Sequence, residues 1–540
     1  MEELVKKMRS RSVSKRSLLT QFIVTVILWG AVSEAVLALP ARIRLQQPFR
    51  ELEDFDYWAN LCRLQSKAEA FTEALEACDE AILIEPKDPD IWSDRSYVLL
   101  RLNRYAEGVA SAENAIRFRG NYSEAQTWRC LGFSGLNREE EALDACEAAL
   151  LADAHWRNTN PAEAWFFRGE SLTRLGRHED AVVSYERALV IEPEYSLALA
   201  RQCEALSQLQ RPLEALTSCD AALAQNQNWG TLNESLAWGN RALAFDQLQG
   251  DVQAIASLDQ ALKQSPRNPM LWAQQGMLLA QQKNYPEALL SFTQAVNIKP
   301  DYTLALVKQC TALNKLQRYE AALTACEQAL AGDGSWDKLG VAEAWDQLTI
   351  TLTQLGRYED AIATANRAVG FQPDFAEAWN NRGVPYWYLG RYNESLASYD
   401  RAIALNPRYV QAWINRGRVF LSLQRYNEAL IAYDQALSID PQSDVAWANR
   451  SVILWHLRDY SGAIRAADQA LALNPRSTLA WFAKGEALAA LRRYEAALVA
   501  YREALAISPE RADLQAAVER VLLQLTPPEQ DLPFDQTLGD

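Results

Sequence analysis

The chain has 540 residues, 49% hydrophobic and 23% charged, with ordinary Gly (22) and Pro (20), which excludes fibrous and wholly disordered classes and allows a large buried core. Lys and Arg number 54 against 69 Asp and Glu, a net charge of -15, which excludes a sequence-independent grip on nucleic-acid phosphates. The three histidines, His155, His178 and His456, are far apart and leave little for imidazole catalysis or a metal site, so neither cofactor nor metal is expected.

Residues 1–38 hold six cations and three acids, a net +3, so the remainder carries -18. Lys6, Lys7, Arg9, Arg11, Lys15 and Arg16 precede an uncharged run from Ser17 to Ser33, whose apolar centre is Phe22 to Val32. That centre has the length of a signal-peptide h-region and falls short of the ~20 residues of a spanning helix. Glu34 interrupts the run, and Val36-Leu37-Ala38 offers a signal-peptidase cut after Ala38. The readings are a cleaved export signal, a retained N-terminal anchor with membrane contact confined to residues 17–38, and a cytosolic amphipathic segment. In the first two, the cations stay on the cytoplasmic side and everything after about residue 40 is translocated. The mature chain is then periplasmic, lumenal, secreted or anchored by its N-terminus. Residues 39–54 read as a short polar linker.

A repeat follows. Trp58, Trp92, Trp165, Trp238, Trp272, Trp345, Trp379, Trp413, Trp447 and Trp481 each hold the fourth place of a unit of 34 residues, or 34 plus five. Units begin at 55, 89, 123, 162, 196, 235, 269, 303, 342, 376, 410, 444 and 478, thirteen in all. In the unit at 410, Trp413, Gly417 and Phe420 lie on one helix, Leu423-Gln424-Arg425 is the turn, and Tyr426, Ala429, Tyr433 and Ala436 lie on a second helix that stops before Pro441. This pattern closely resembles the tetratricopeptide repeat, most fully at 269–302 and 376–509, with Arg382, Arg416 and Arg450 where the family has Leu before Gly. The resemblance implies an all-α, right-handed solenoid over residues 55–510, because a lone helical pair cannot bury both faces and stacked neighbours can. Residues 511–525 read as a capping helix and 526–540 as an acidic disordered tail.

The thirteen copies align with one another. Gly at the eighth place meets an aromatic at the twenty-fourth (Gly169/Tyr185, Gly276/Phe292, Gly383/Tyr399, Gly417/Tyr433, Gly485/Tyr501), and larger eighth residues meet smaller partners (Ser96/Ala112, Ala242/Leu258, Thr349/Ala365, Ser451/Ala467), as touching helices demand. The other four pairs are Cys62/Cys78, Cys130/Cys146, Cys203/Cys219 and Cys310/Cys326, all eight cysteines of the chain. Four disulfides are predicted, each pinning the two helices of one unit and worth roughly 3 kcal/mol. The alternative is reduced, buried pairs. Zinc is disfavoured, with no C-x2-C.

Seven units carry Arg at the seventh place (Arg95, Arg129, Arg168, Arg241, Arg382, Arg416, Arg450), and each has an acid at its own twenty-fifth (Glu113, Glu147, Glu186, Asp259, Asp400, Asp434, Asp468). An ion pair within each unit is expected, worth under ~1 kcal/mol, with ligand binding as the alternative. Three of the four cysteine units are followed by five extra residues and a Trp (Trp156, Trp229, Trp336), read as covering the end of a lengthened second helix or the next turn, or else as a displayed binding knob.

No P-loop, dinucleotide, zincin or hydrolase motif is present, and nothing outside residues 55–525 is long enough for a catalytic domain, so an enzyme is not expected. The family resemblance places function on a concave face lined by the second, fifth, ninth, twelfth and thirteenth places, accepting a partner's peptide segment. The cluster that stands out there is Val384, Trp387, Tyr388, Ile414, Arg418, Val452, Trp455, His456 and Phe482, a composition typical of protein-binding hot spots; packing between units is the competing role for each. The family's carboxylate clamp is absent: its fifth and ninth places read Ala59, Ser93, Thr127 and Arg63, Tyr97, Leu131. Pro385 is expected to kink its helix beside Trp387. Asn121, Asn233 and Asn393 match glycan acceptor triplets. The expected function is a non-enzymatic scaffold binding other proteins outside the cytoplasm, with assembly of a membrane complex as one setting; the alternatives are a carbohydrate-binding envelope solenoid and an accessory subunit of an enzyme.

Overall fold

The computed structural model describes residues 54–230, 232–336 and 340–525. The export segment at 1–38, all but the last residue of the linker at 39–54, and the tail at 526–540 lie outside the described residues. Among the described residues there are twenty-seven α-helices, from Phe55–Lys67 to Ala512–Leu525, and no strand. Each unit supplies two, such as Val410–Ser422 and Tyr426–Ile439. The chain divides into two compact bodies, to Gly176 and from Arg177 onward. Within each body a helix packs against its partner and the next pair, and first helices also touch the first helices beside them, forming one layer.

The local reasons for this architecture repeat with the period. The turn between helices places its fifteenth residue at positive φ in every unit, at +59° for Asn103 and +58° for Gln424. Gly390 takes it at +71° with no Cβ to strain. Six of the fourth-place Trp residues, Trp92, Trp272, Trp379, Trp413, Trp447 and Trp481, donate the indole N–H to the carbonyl of a Pro six residues earlier, Trp447 to Pro441 at 3.0 Å and Trp92 to Pro86 at 2.9 Å. That bond fastens these first helices to the end of the preceding unit. Gln515 makes the same bond to Pro509 at 2.9 Å, so the capping helix is the first half of a further unit. Alanine fills the twenty-seventh place of all thirteen units, from Ala81 to Ala504, and is buried in each.

The eighth and twenty-fourth places touch as their covariation demands. A Cβ at Gly417 would lie 2.8 Å from the Tyr433 ring, inside van der Waals contact. In the four cysteine units the same two places stand with Cα atoms 5.1, 5.2, 5.4 and 5.4 Å apart, and Cys62–Cys78, Cys130–Cys146, Cys203–Cys219 and Cys310–Cys326 are disulfide-bonded.

The seventh-place arginines differ from expectation. Their partner is the twenty-fifth residue of the preceding unit, not of their own: Arg95 reaches Asp79 at 2.6 Å, Arg241 reaches Asp220 at 2.7 Å, Arg416 reaches Asp400 at 2.7 Å and Arg450 reaches Asp434 at 2.6 Å. Lys484 does the same to Asp468 at 2.7 Å, and Arg382 donates to Asn366 at 2.8 Å. Each of these cations also lies over the Trp three residues earlier, at 5.6 Å for Arg416 on Trp413. The charge therefore joins units to one another, at the same place as the Trp–Pro bond.

The five-residue insertions lengthen no helix; the second helices before them end at Leu151, Gln225 and Leu330. The extra residues fold back onto the start of the same unit's first helix. Its opening hydroxyl accepts a backbone N–H from the loop, Ala154 to Ser123, Gln227 to Ser196 and Gly334 to Thr303, each at 3.0 Å. Trp229 packs against the cluster of Ala200, Ala222 and Ala237, and Trp336 against that of Leu306, Val307 and Ala329.

Candidate functional site

The helix Ala376–Tyr388 carries Val384, Trp387 and Tyr388, and it runs unbroken through Pro385. With Arg418 and Asn415 of the next first helix and Tyr399 of its own partner, these residues line a small cavity of about 30 Å³. The Arg418 guanidinium lies 4.8 Å over the Trp387 ring, and the Trp387 indole donates to the Ser422 hydroxyl at 3.0 Å. Tyr388 stacks on Tyr358 of the preceding unit at 4.8 Å and stays 49% exposed.

The unit at 444 repeats the arrangement. Trp455 and His456 meet edge to face at 4.8 Å, and His456 stacks on Tyr426 of the preceding unit at 4.5 Å. Burial pushes the His456 imidazole below its usual pKa. The Trp455 indole N–H is buried without a hydrogen-bond partner.

Two of the sequence-nominated residues also contact the core. Ile414 is 3% exposed within a core cluster containing Phe420 and Tyr433. Phe482 packs on the last units' core, 6.0 Å from Tyr501, with Arg511 lying 5.6 Å over its ring. The structure thus gathers Val384, Trp387, Tyr388 and Arg418 around one cavity, with Val452, Trp455 and His456 one unit further on.

Sequence reasoning missed a polar line running through the same layer. The Asp346 carboxylate, 3% exposed, accepts from the Asn381 amide at 2.9 and 3.1 Å. Asn415 donates to Asn380 at 2.9 Å, and Gln411 donates to Asn415 at 3.1 Å. Burial pushes Asp346 up to about 7, helped by the charges of Glu343 and Glu377 and opposed by the Asn381 bond. The Asn of each Asn-Arg-Gly triplet was the available signal.

A second missed constellation lies in the first body. Arg157, from the insertion after the unit at 123, bonds Asp90 at 2.8 Å and Asp94 at 2.6 Å and approaches the buried Glu124 at 3.8 Å. Arg63 joins Asp94 at 2.9 Å, and Asn158 donates to Glu124 at 2.9 Å. Burial raises the Glu124 pKa, against the pull of Arg157. These groups satisfy one another and fasten the insertion to two first helices. Among the described residues no helix is long and apolar enough to cross a membrane, and no cluster of ligating side chains fits a metal.

Family models of the tetratricopeptide repeat match residues 162–195, 252–303, 386–444 and 450–512, so the chain carries tetratricopeptide repeats there. Protein FlbA of Caulobacter vibrioides is 26% identical over 173 residues, 31% of this chain and 27% of that protein, so the match spans about a quarter of the relative's length. A solved structure, the crystal structure of the APC/C hetero-tetramer Cut9-Hcn1, matches at 15% identity and a TM-score of 0.47, covering 87% of this chain and 96% of that one.

Proposed function

We propose that this chain is a non-catalytic protein-interaction scaffold whose first-helix layer holds a partner's peptide segment over Val384, Trp387, Tyr388, Arg418, Val452, Trp455 and His456. The observation that carries this reading is the paired aromatic surface with Arg418 over Trp387: large, rigid rings and a guanidinium, beside the Asn380–Asn415 amides. Such anchors lose little conformational entropy on binding and dominate interface energies.

The scaffold acts on the extracytoplasmic side of a membrane, in assembly of an envelope or membrane complex. Four disulfides favour an oxidising compartment, and the basic, then apolar, N-terminal segment supplies the route.

The test is affinity purification of the whole chain from its native host, beside the triple variant Trp387→Ala, Arg418→Ala, Trp455→Ala. Loss of a stoichiometric protein partner with helical content unchanged is the expected result. Undiminished capture contradicts the assignment. Retention on cell-wall glycan in place of a protein gives the surface to carbohydrate stacking, and a catalytic partner makes the chain an accessory subunit.

A further inference from the structure

A second, chemically different cavity opens on the same layer further toward the N-terminus, between the first helices Ser235–Gln247 and Pro269–Gln281. Its volume is about 250 Å³, below the ~300–1,000 Å³ of drug-sized ligand pockets. It is the right scale for one long side chain. Gly239, the only glycine at the fifth place in the thirteen units, lines it, and a Cβ there would lie 3.1 Å from Leu271. Leu243, Leu258, Met277 and Leu278 supply apolar walls.

Two acceptors break this apolar lining, and neither has a donor. The Gln274 side-chain carbonyl is buried with no hydrogen-bond partner. Asp246 has no ion-pair or side-chain hydrogen-bond partner among the described residues, and its nearest charged influence is another acid, Asp251. Burial and that like charge push its pKa up, which a cation would reverse. Asp246 is only partly buried, but the Gln274 carbonyl is shut away from water without a donor, so the cavity lacks a donor at its polar end.

We propose that this cavity receives a lysine or arginine side chain of the bound partner segment, its aliphatic stem against Leu243, Leu258 and Met277 and its cationic head on Asp246 and Gln274. Long basic side chains bury their methylenes while presenting the charge at the tip, which is the order of chemistry lining this cavity. The net charge of -18 beyond residue 38 adds long-range attraction for a basic segment. The inference rests on the partner-segment reading above and adds the chemistry of one anchor.

The test uses small probes, so it reads the cavity whether or not the aromatic surface is the main site. The chain has four methionines, of which Met277 lines the cavity and Met270 is 59% exposed outside it. With methyl-labelled methionine in the whole chain, acetyl-Ala-Lys-Ala-amide, its arginine counterpart and acetyl-Ala-norleucine-Ala-amide are titrated by NMR. The expected result is a saturable shift at Met277 and none at Met270, with norleucine at least fivefold weaker than a basic peptide. Asp246→Asn removes that preference, and Gly239→Leu removes binding of all three. No shift at Met277, or equal binding of norleucine and lysine, overturns the proposal. Capture of the natural partner that survives Asp246→Asn while failing in the aromatic triple variant also overturns it and leaves the aromatic site standing.

Discussion

Arg450 reaches back across a unit boundary to Asp434 at 2.6 Å while lying 5.6 Å over its own Trp447. Both groups are partly exposed, so the pair is worth under ~1 kcal/mol. The expected outcome of a double-mutant cycle on Arg450→Met and Asp434→Asn is a coupling of ~0.2–1 kcal/mol, while Arg450→Met with Asp468→Asn shows none. Native-state hydrogen exchange of the flanking helices measures it, because long arrays do not melt as one two-state unit.

Gly417 and Tyr433 test helix contact inside a unit. Gly417→Ala forces a methyl against the ring and is expected to cost ~1–3 kcal/mol by overpacking. Adding Tyr433→Leu recreates the Ala242/Leu258 pair of the unit at 235 and recovers part of that loss. Exchange protection of Val410–Ser422 reports both.

Asp346 makes stability depend on pH. Its folded pKa is raised from 3.8 to about 7, so the folded state keeps a proton that the unfolded chain has released. Stability therefore falls as pH rises from about 4 to 7 and stays lower above that window. Asp346→Asn removes this slope. Denaturation of the wild type and variant at pH 4.5 and 8 is expected to show the wild type losing stability relative to the variant at the higher pH.

Each disulfide closes a sequence separation of 16 residues and contributes roughly 3 kcal/mol in the chain-entropy model. Cys310→Ala with Cys326→Ala is expected to lower exchange protection in its own helices and the adjoining ones, leaving distant units unchanged. Intact mass of protein from the native host is expected to show eight alkylated thiols only after reduction, on a chain starting near Leu39.

The fold was legible because the same constraints recur thirteen times. Trp447 and Pro441 mark the register through a bond that needs both, and the Gly417/Tyr433 covariation reports direct contact. The arginine partner was misread because both the preceding and the same unit usually offer an acid at the twenty-fifth place, and only geometry separates them. The insertions were read as lengthening a helix because nothing in their composition shows that Ser123, Ser196 and Thr303 accept from the returning loop, while Trp229 covers the second helix as expected. At the site, Trp387 and Arg418 were visible as exposed chemistry at inward places, whereas Ile414 shares that spacing but lies in the core. Asn380 and Asn415 passed unnoticed because asparagine is as common in turns and caps as in a polar line between helices.

The most direct measurement places a photo-crosslinking amino acid at Tyr388, on the aromatic surface, or at Val499, 58% exposed on the second helix of the unit at 478, and compares the products in the native host. The account predicts one discrete protein adduct from Tyr388, lost on Trp387→Ala with Arg418→Ala, and none from Val499. Adducts from Val499 alone, or a Tyr388 adduct indifferent to those substitutions, would contradict it.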